Sequence, residues 1–258
     1  MAYHRQVLGT CFVVGGSRRL EQEFSITVAQ TMSSLMAVAS ASLIIPAALY
    51  ISMGHPSSET DKSILELSRG TSIILLILYI MYLVFQLKTH ANLFDEEENG
   101  TSDDAEPEES HEKKEGDTLN PVAAGIALIL VTLCVAVCAE YLVDSIDAIV
   151  QRAGISKTFI GLILLPIVGN AAEHVTAVVV SWKNKMDLAL GVAIGSSMQI
   201  ALFVTPFLVI LGWIIGQPMT LHFQAFETVV FFLSVTVVNS LIQDGKSNYL
   251  EGAMCLGT

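Results

Sequence analysis

Asn170 and Glu173 stand three residues apart in the stretch GLILLPIVGNAAEHVTAVVVSW (161–182), which is otherwise almost wholly apolar. On a helix that spacing puts an amide and a carboxylate on one face. Both offer oxygen donors of the kind that hard cations such as calcium take. A carboxylate ionised in the middle of a membrane helix costs roughly 2.5–3.5 kcal/mol on insertion scales, so it implies a partner or a water-filled path. Pro166 lacks a backbone donor and Gly169 tolerates unwound backbone, so a break is expected just before Asn170. A helix broken at mid-membrane frees carbonyl oxygens and aims a half-helix terminus at a site, an arrangement many transporters use to hold ions.

A second stretch, LALGVAIGSSMQIALF (188–203), offers a complementary wall. Ser196 and Gln199 share a helical face, Ser197 adds a hydroxyl, and Gly191 and Gly195 lie one turn apart. Small residues at that spacing let two helices approach closely, so plain packing accounts for the glycines as well as a site does. Zinc chemistry fits poorly. NAAEH comes one letter from the H-x-x-E-H pattern of inverted zinc peptidases, but Asn170 stands where the first histidine ligand must be. The expectation is therefore not an enzyme.

These residues must be positioned by membrane helices. Hydrophobic residues make up 52% of the chain, charged residues 15%, and the mean hydropathy is +0.60, values beyond those of a soluble domain. Apolar runs long enough to cross a bilayer fall near 27–50, 70–87, 121–142, 158–182, 187–216 and 224–242, and Val7 to Gly16 reads as the tail of another span. None keeps the polar face at a period of 3.6 that a soluble helix needs.

The net charge of −12 is local. Residues 95–117 hold twelve acidic side chains and two lysines, −10 in all, leaving −2 for the rest. That composition cannot bury enough surface to fold alone and reads as a solvated loop, with cation capture at a transport mouth as the sharper alternative. It gives no reason to expect a nucleic-acid partner. Cys11, Cys134, Cys138 and Cys255 show no metal-binding spacing and read as packing residues. No cleavable signal peptide is expected at the N-terminus. With Val7–Gly16 as the first crossing, Arg18, Arg19, Lys88, Lys113, Lys114, Lys183, Lys185 and Lys246 share one side. Arg5, Lys62, Arg69, Arg152 and Lys157 share the other, which favours a cytosolic acidic loop.

The segments Ser68–Ser72, Ser156–Trp213 and Leu241–Gly252 together resemble the calcium/proton exchangers of the cation/calcium antiporter superfamily, the fungal vacuolar members above all. The resemblance implies an all-α polytopic membrane protein, a sodium/calcium exchanger-like bundle with a discontinuous helix at its ion site. It implies calcium:proton antiport from cytosol to vacuole across the vacuolar membrane, with Ca2+ and H+ as transported ions, no cofactor, and lipid as surroundings. Glu173 becomes the central calcium ligand, with Gly169, Asn170, Ser196, Ser197 and Gln199 around it. Glu66, Glu140 and His174 are candidates for a proton or cation path.

Family members carry two inverted repeats, each with its own G-N-A-x-E helix, and this sequence shows one. The expected layout is a partial span and loop over 1–26, helices ending the first half over 27–94, an acidic loop over 95–120, and an incomplete second repeat over 121–258. Calcium usually takes six to eight oxygens, so Glu173 alone forms an incomplete, low-affinity cage. Two classes stay open: an exchanger truncated at both ends, or a non-transporting membrane protein that associates with a complete exchanger or with the missing N-terminal half.

Overall fold

The computed structural model describes residues 3–53, 58–91, 93 and 120–257. The chain forms two compact units, one of residues 1–102 with 171–258 and a smaller one of residues 103–170.

In the larger unit, α1 (Tyr3–Gly16) packs along the C-terminal α10 (Tyr249–Gly257) and against α6 (Ala171–Trp182) and α7 (Met186–Gln199). Gly9 and Gly252 permit the first of these contacts. A Cβ on Gly252 would come within 2.6 Å of the Val13 nitrogen and 2.7 Å of the Gly9 oxygen, so the two backbones nearly touch. Leu8, Cys11 and Phe12 of α1 are completely buried. The Val7–Gly16 piece is thus central to the core.

Two long helices follow, α2 (Ile26–Met53) and α3 (Ser58–Val84), the latter ending in a π-helical turn, Phe85–Thr89. The apolar run begins near 70, yet α3 starts about three turns earlier, because Glu59 and Asp61 in its first turn complement the positive end of the helix dipole. After α7 comes a second π turn, Ile200–Val204, then α8 (Thr205–Ile214) and α9 (Ala225–Leu241). The α9 helix packs on α2, and α8 on α3. A two-stranded antiparallel pair, β1 (Gln22–Glu23) with β2 (Lys246–Ser247), joins the segments that follow α1 and precede α10, in the register Gln22 to Ser247 and Glu23 to Lys246.

The smaller unit contains α4 (Pro121–Ala153), capped by the Asn120 side chain accepting from the Val122 N–H, and ended by Gly154 in the left-handed region at φ 65°. A single helical turn (Lys157–Phe159), a π turn (Ile160–Leu164) and α5 (Leu165–Gly169) follow. The acidic stretch 95–119 lies outside the described residues.

Four helical segments among the described residues are long and apolar enough to cross a membrane: Ile26–Met53, Glu59–Thr89, Val122–Val150 and Met186–Ile214. Ala225–Leu241 is a shorter apolar helix. The expected span 158–182 is a series of short segments rather than one helix, which agrees with a break near Asn170 but not with its expected form. No stretch of backbone unwinds. Asn170 alone leaves the helical region, at φ −106° and ψ 15°, and Gly169 is an ordinary helical residue. Pro166 sits inside α5 without ending it. The preceding π turn, closed by the Leu165 N–H donating to the Ile160 carbonyl, opens the backbone where the proline ring would otherwise collide. The same device recurs ahead of Pro206, where the Thr205 N–H donates to Ile200 across the second π turn.

Candidate functional site

Glu173 lies in the first turn of α6, three residues beyond the interruption. Helix α6 reverses through Lys183–Asn184–Lys185 into α7 as an antiparallel hairpin, and Asn184 makes the reversal in the left-handed conformation at φ 64°. Equal counts from Asn184 reach Glu173 on one arm and Gly195 on the other, so at about 1.5 Å per residue the carboxylate stands level with the Gly195–Ser196–Ser197 turn. The Glu173 side chain is exposed and those of Ser196 and Ser197 are half-buried.

The two serine hydroxyl donors are already engaged while acceptors remain. Ser196 and Ser197 both donate to the Ala193 carbonyl, at 3.4 and 3.3 Å. The Asn170 amide, at the end of the smaller unit, donates from Nδ2 to the Pro166 carbonyl at 2.8 Å. With both hydroxyl donors turned to backbone, lone pairs are what Ser196 and Ser197 offer to a ligand, which suits a cation.

The structure does not gather every expected residue into one place. Gln199, exposed at the end of α7, lines a cavity of about 360 Å³ together with Gly195 and Gly191 of the same helix, and Asp187 stands at that helix's other end. The opposite wall is Met32 of α2 with Tyr79 and Tyr82 of α3, and Gln86 of the π turn. Glu173, Ser196 and Ser197 are not among the lining residues. Gly191 and Gly195 show open space where a Cβ would be, so these glycines keep the cavity wide instead of seating a helix. Glu66 on α3 is exposed, as is Glu140 on α4 of the smaller unit, and His174 is half-buried beside Glu173 in the chain. No group of three His, Cys, Asp or Glu side chains able to hold a metal gathers among the described residues.

Sequence reasoning passed over Asp187. It opens an apolar helix in KMDLALG, and a carboxylate at that position was a readable signal. In the fold its Oδ1 accepts from the Ser25 backbone N–H at 2.6 Å, tying the start of α7 to the start of α2. Gln22, from β1, donates to the Ser181 carbonyl at 3.1 Å and to Asn184 Oδ1 at 3.2 Å. Arg18 stacks on Trp182 with its guanidinium carbon 3.7 Å from the ring centroid. The ends of α1, α6 and α10's approach strand, and the starts of α2 and α7, therefore meet at one end of the larger unit.

These features define a polytopic helical membrane protein built around an interrupted helix and a hairpin that carries Glu173 and Asp187. The chain belongs to the sodium/calcium exchanger protein family, whose model matches residues 6–88 and 123–258. It is 50% identical over 250 residues to a vacuolar calcium ion transporter of Schizosaccharomyces pombe, covering 97% of this chain and 58% of the relative. It is 43% identical to a Ca2+/H+ antiporter of Aphanothece halophytica, covering 98% of this chain and 67% of that protein. The fold matches the crystal structure of the Ca2+/H+ antiporter protein YfkE with a TM-score of 0.72 at 33% identity, over 97% of this chain and 66% of YfkE. The chain thus spans little more than half the length of its fungal relative.

Proposed function

We propose that this chain supplies the Glu173 part of a calcium:proton antiporter that moves Ca2+ from the cytosol into the vacuole in exchange for H+. The family membership and the names of its relatives support the reaction, and the α6–α7 hairpin carries the assignment of the site. In it a carboxylate just past a helix interruption stands level with two serines whose donors are spent and whose lone pairs are free. Glu173 alternates between a protonated form, which lowers the cost of an empty site, and a carboxylate that takes the cation. Gly169, Asn170, Ser196, Ser197 and Gln199 complete this chain's share of the site, and Glu66, Glu140 and His174 serve the proton or cation path. Because calcium takes six to eight oxygens, the cage draws further ligands from a complete exchanger or its N-terminal half.

The protein resides as a multi-pass protein in the vacuolar membrane with the loop of residues 95–120 in the cytosol. The cluster of Arg18, Lys183, Lys185 and Lys246 at one end of the larger unit supports that end as cytosolic. In this reading residues 1–26 supply a partial span and loop, 27–94 the helices that end the first half, 95–120 the acidic loop, and 121–258 the incomplete second repeat. The decisive experiment is proton-driven calcium uptake into vesicles carrying the complete exchanger with Glu173→Gln. Uptake is abolished if Glu173 is the exchanging carboxylate, and normal uptake overturns the assignment.

A further inference from the structure

We propose that Asp187 is a cation-capture carboxylate at the mouth of the α7 cavity, which leads divalent ions from the Lys183–Lys185 end of the bundle down to Gln199. The proposal rests on the antiport reading for its cargo, but its geometry is independent of Glu173. Asp187 and Gln199 line one cavity from opposite ends of α7, twelve residues and so about 18 Å apart along the helix axis. Between them Gly191 and Gly195 form a wall without side chains, facing open space. Gln86 and Tyr82 on the other wall add an amide and a hydroxyl, and Asp187 is the only charged residue lining this cavity among the described residues. Its other lining residues are uncharged and largely apolar, Met32, Leu83, Leu188, Val192 and Met198 among them, so the Asp187 carboxylate sets the sign of the field inside the cavity and the low-dielectric walls focus it in favour of cations.

The carboxylate also has room for this task. Its Oδ1 accepts the Ser25 N–H at the start of α2, a bond that holds the side chain at the mouth. A carboxylate has about four acceptor positions in all, so most remain for a passing ion. That attachment makes Asp187→Asn an informative variant. Asparagine keeps an oxygen for the Ser25 N–H and removes the charge, whereas Asp187→Glu keeps the charge.

The test is radioactive calcium uptake into vesicles carrying the complete exchanger, together with equilibrium calcium binding to the same protein in detergent. Asp187→Asn is expected to raise the KM for calcium about tenfold, a loss of about 1.4 kcal/mol, with kcat within twofold of the parent. Since the Debye length is about 10 Å at 0.1 M salt, the parent's KM should rise with ionic strength and that of Asp187→Asn should not. Asp187→Glu should restore both behaviours. Gly191→Leu adds no charge but fills the passage and should lower kcat. An unchanged KM in Asp187→Asn, an unchanged salt dependence, or full activity of Gly191→Leu overturns the proposal. Loss of uptake in Asp187→Asn that Asp187→Glu does not repair means that the side chain's shape rather than its charge is required there, and overturns it as well. The two readings fail separately: normal uptake by Glu173→Gln sinks the exchanging-carboxylate assignment, while a flat KM in Asp187→Asn sinks only the mouth.

Discussion

Replacing Gly252 with alanine should loosen the junction of α1 and α10, and the structure sets the size of the effect. The new Cβ would lie 2.6 Å from the Val13 nitrogen, and ordinary contact begins near 3.4 Å, so the helices must part by 3.4 − 2.6 = 0.8 Å. The two nearest obstructing atoms, the Val13 nitrogen and the Gly9 oxygen, are backbone, so turning the Val13 side chain away does not relieve the clash. Overpacking of this kind typically costs about 1–3 kcal/mol, while alanine in a helix interior returns about 1 kcal/mol relative to glycine. The displaced helix also lifts Leu8, Cys11 and Phe12 from a fully buried position, which places the net loss near the upper end, at about 2 kcal/mol. Gly70→Ala on α3 is the control, since nothing lies within 4 Å of its Cβ, and there the gain of about 1 kcal/mol should appear alone. Thermal unfolding in detergent, followed with a thiol-reactive fluorophore, reads the junction directly because Cys11 and Cys255 are buried in it. Cys134 and Cys138 are exposed and are replaced by alanine in the background protein. Equal unfolding temperatures for Gly252→Ala and the parent would refute the close-approach argument.

Asn184→Ala should destabilise the α6–α7 hairpin by about 2 kcal/mol, combining the left-handed penalty with the lost Gln22 hydrogen bond. Asn184→Gly should recover the backbone share and leave only the bond's loss, as unfolding temperatures will show. Lys246 is raised above its ordinary value of 10.5, first by its hydrogen bond and charge pairing with Glu21 and then by those with Glu23. Because the folded-state value exceeds the unfolded one, the pairing contributes fully below 10.5 and fades as pH rises through the raised value. Lys246→Met should therefore alter the pH dependence of unfolding only in the alkaline range, and a change between pH 5 and 8 would contradict that cause.

How much of this was legible beforehand depended on which physical signal each element carried. Spans 27–50 and 187–216 match Ile26–Met53 and Met186–Ile214 closely, because an uninterrupted apolar run is written in composition alone. The start of α3 was not legible from hydropathy, since Ser58–Lys62 is polar and becomes helical through its favourable end charges and continuity with the run behind it. The interruption near Asn170 was legible from Pro166 and Gly169, but its form was not. Proline signals a conflict at the i−4 carbonyl without saying whether the chain unwinds or inserts one extra residue per turn. Asp187 was missed for a different reason. A lone acidic residue at a helix start is ordinary as sequence, and only the fold brings it to the cavity that Gln199 also lines.

Two of the three π turns among the described residues, Ile160–Leu164 and Ile200–Val204, show why the polar candidates fall where they do. Each is closed by an N–H reaching five residues back, Leu165 to Ile160 and Thr205 to Ile200, and each is followed at once by a proline. A proline within a regular α-helix both loses a hydrogen bond and strikes the carbonyl four residues earlier, at a cost of about 3 kcal/mol or more. A widened turn immediately before it removes the collision, so the helix continues with its direction altered. In one case the continuation ends at Asn170, three residues before Glu173; in the other the widened turn begins directly after Gln199. An apolar chain thereby interrupts its helices beside polar residues while leaving few backbone groups unsatisfied, a condition the hydrocarbon layer imposes on any spanning segment. Replacing Pro206 with alanine tests this account. If the proline sustains the π turn, the Ile200–Val204 segment should revert to α-helical spacing, rotating Gln199 relative to α8, and calcium KM should change while the unfolding temperature holds or rises. A variant with an unaltered KM would mean that the widened turn is fixed by packing and that the proline merely occupies it.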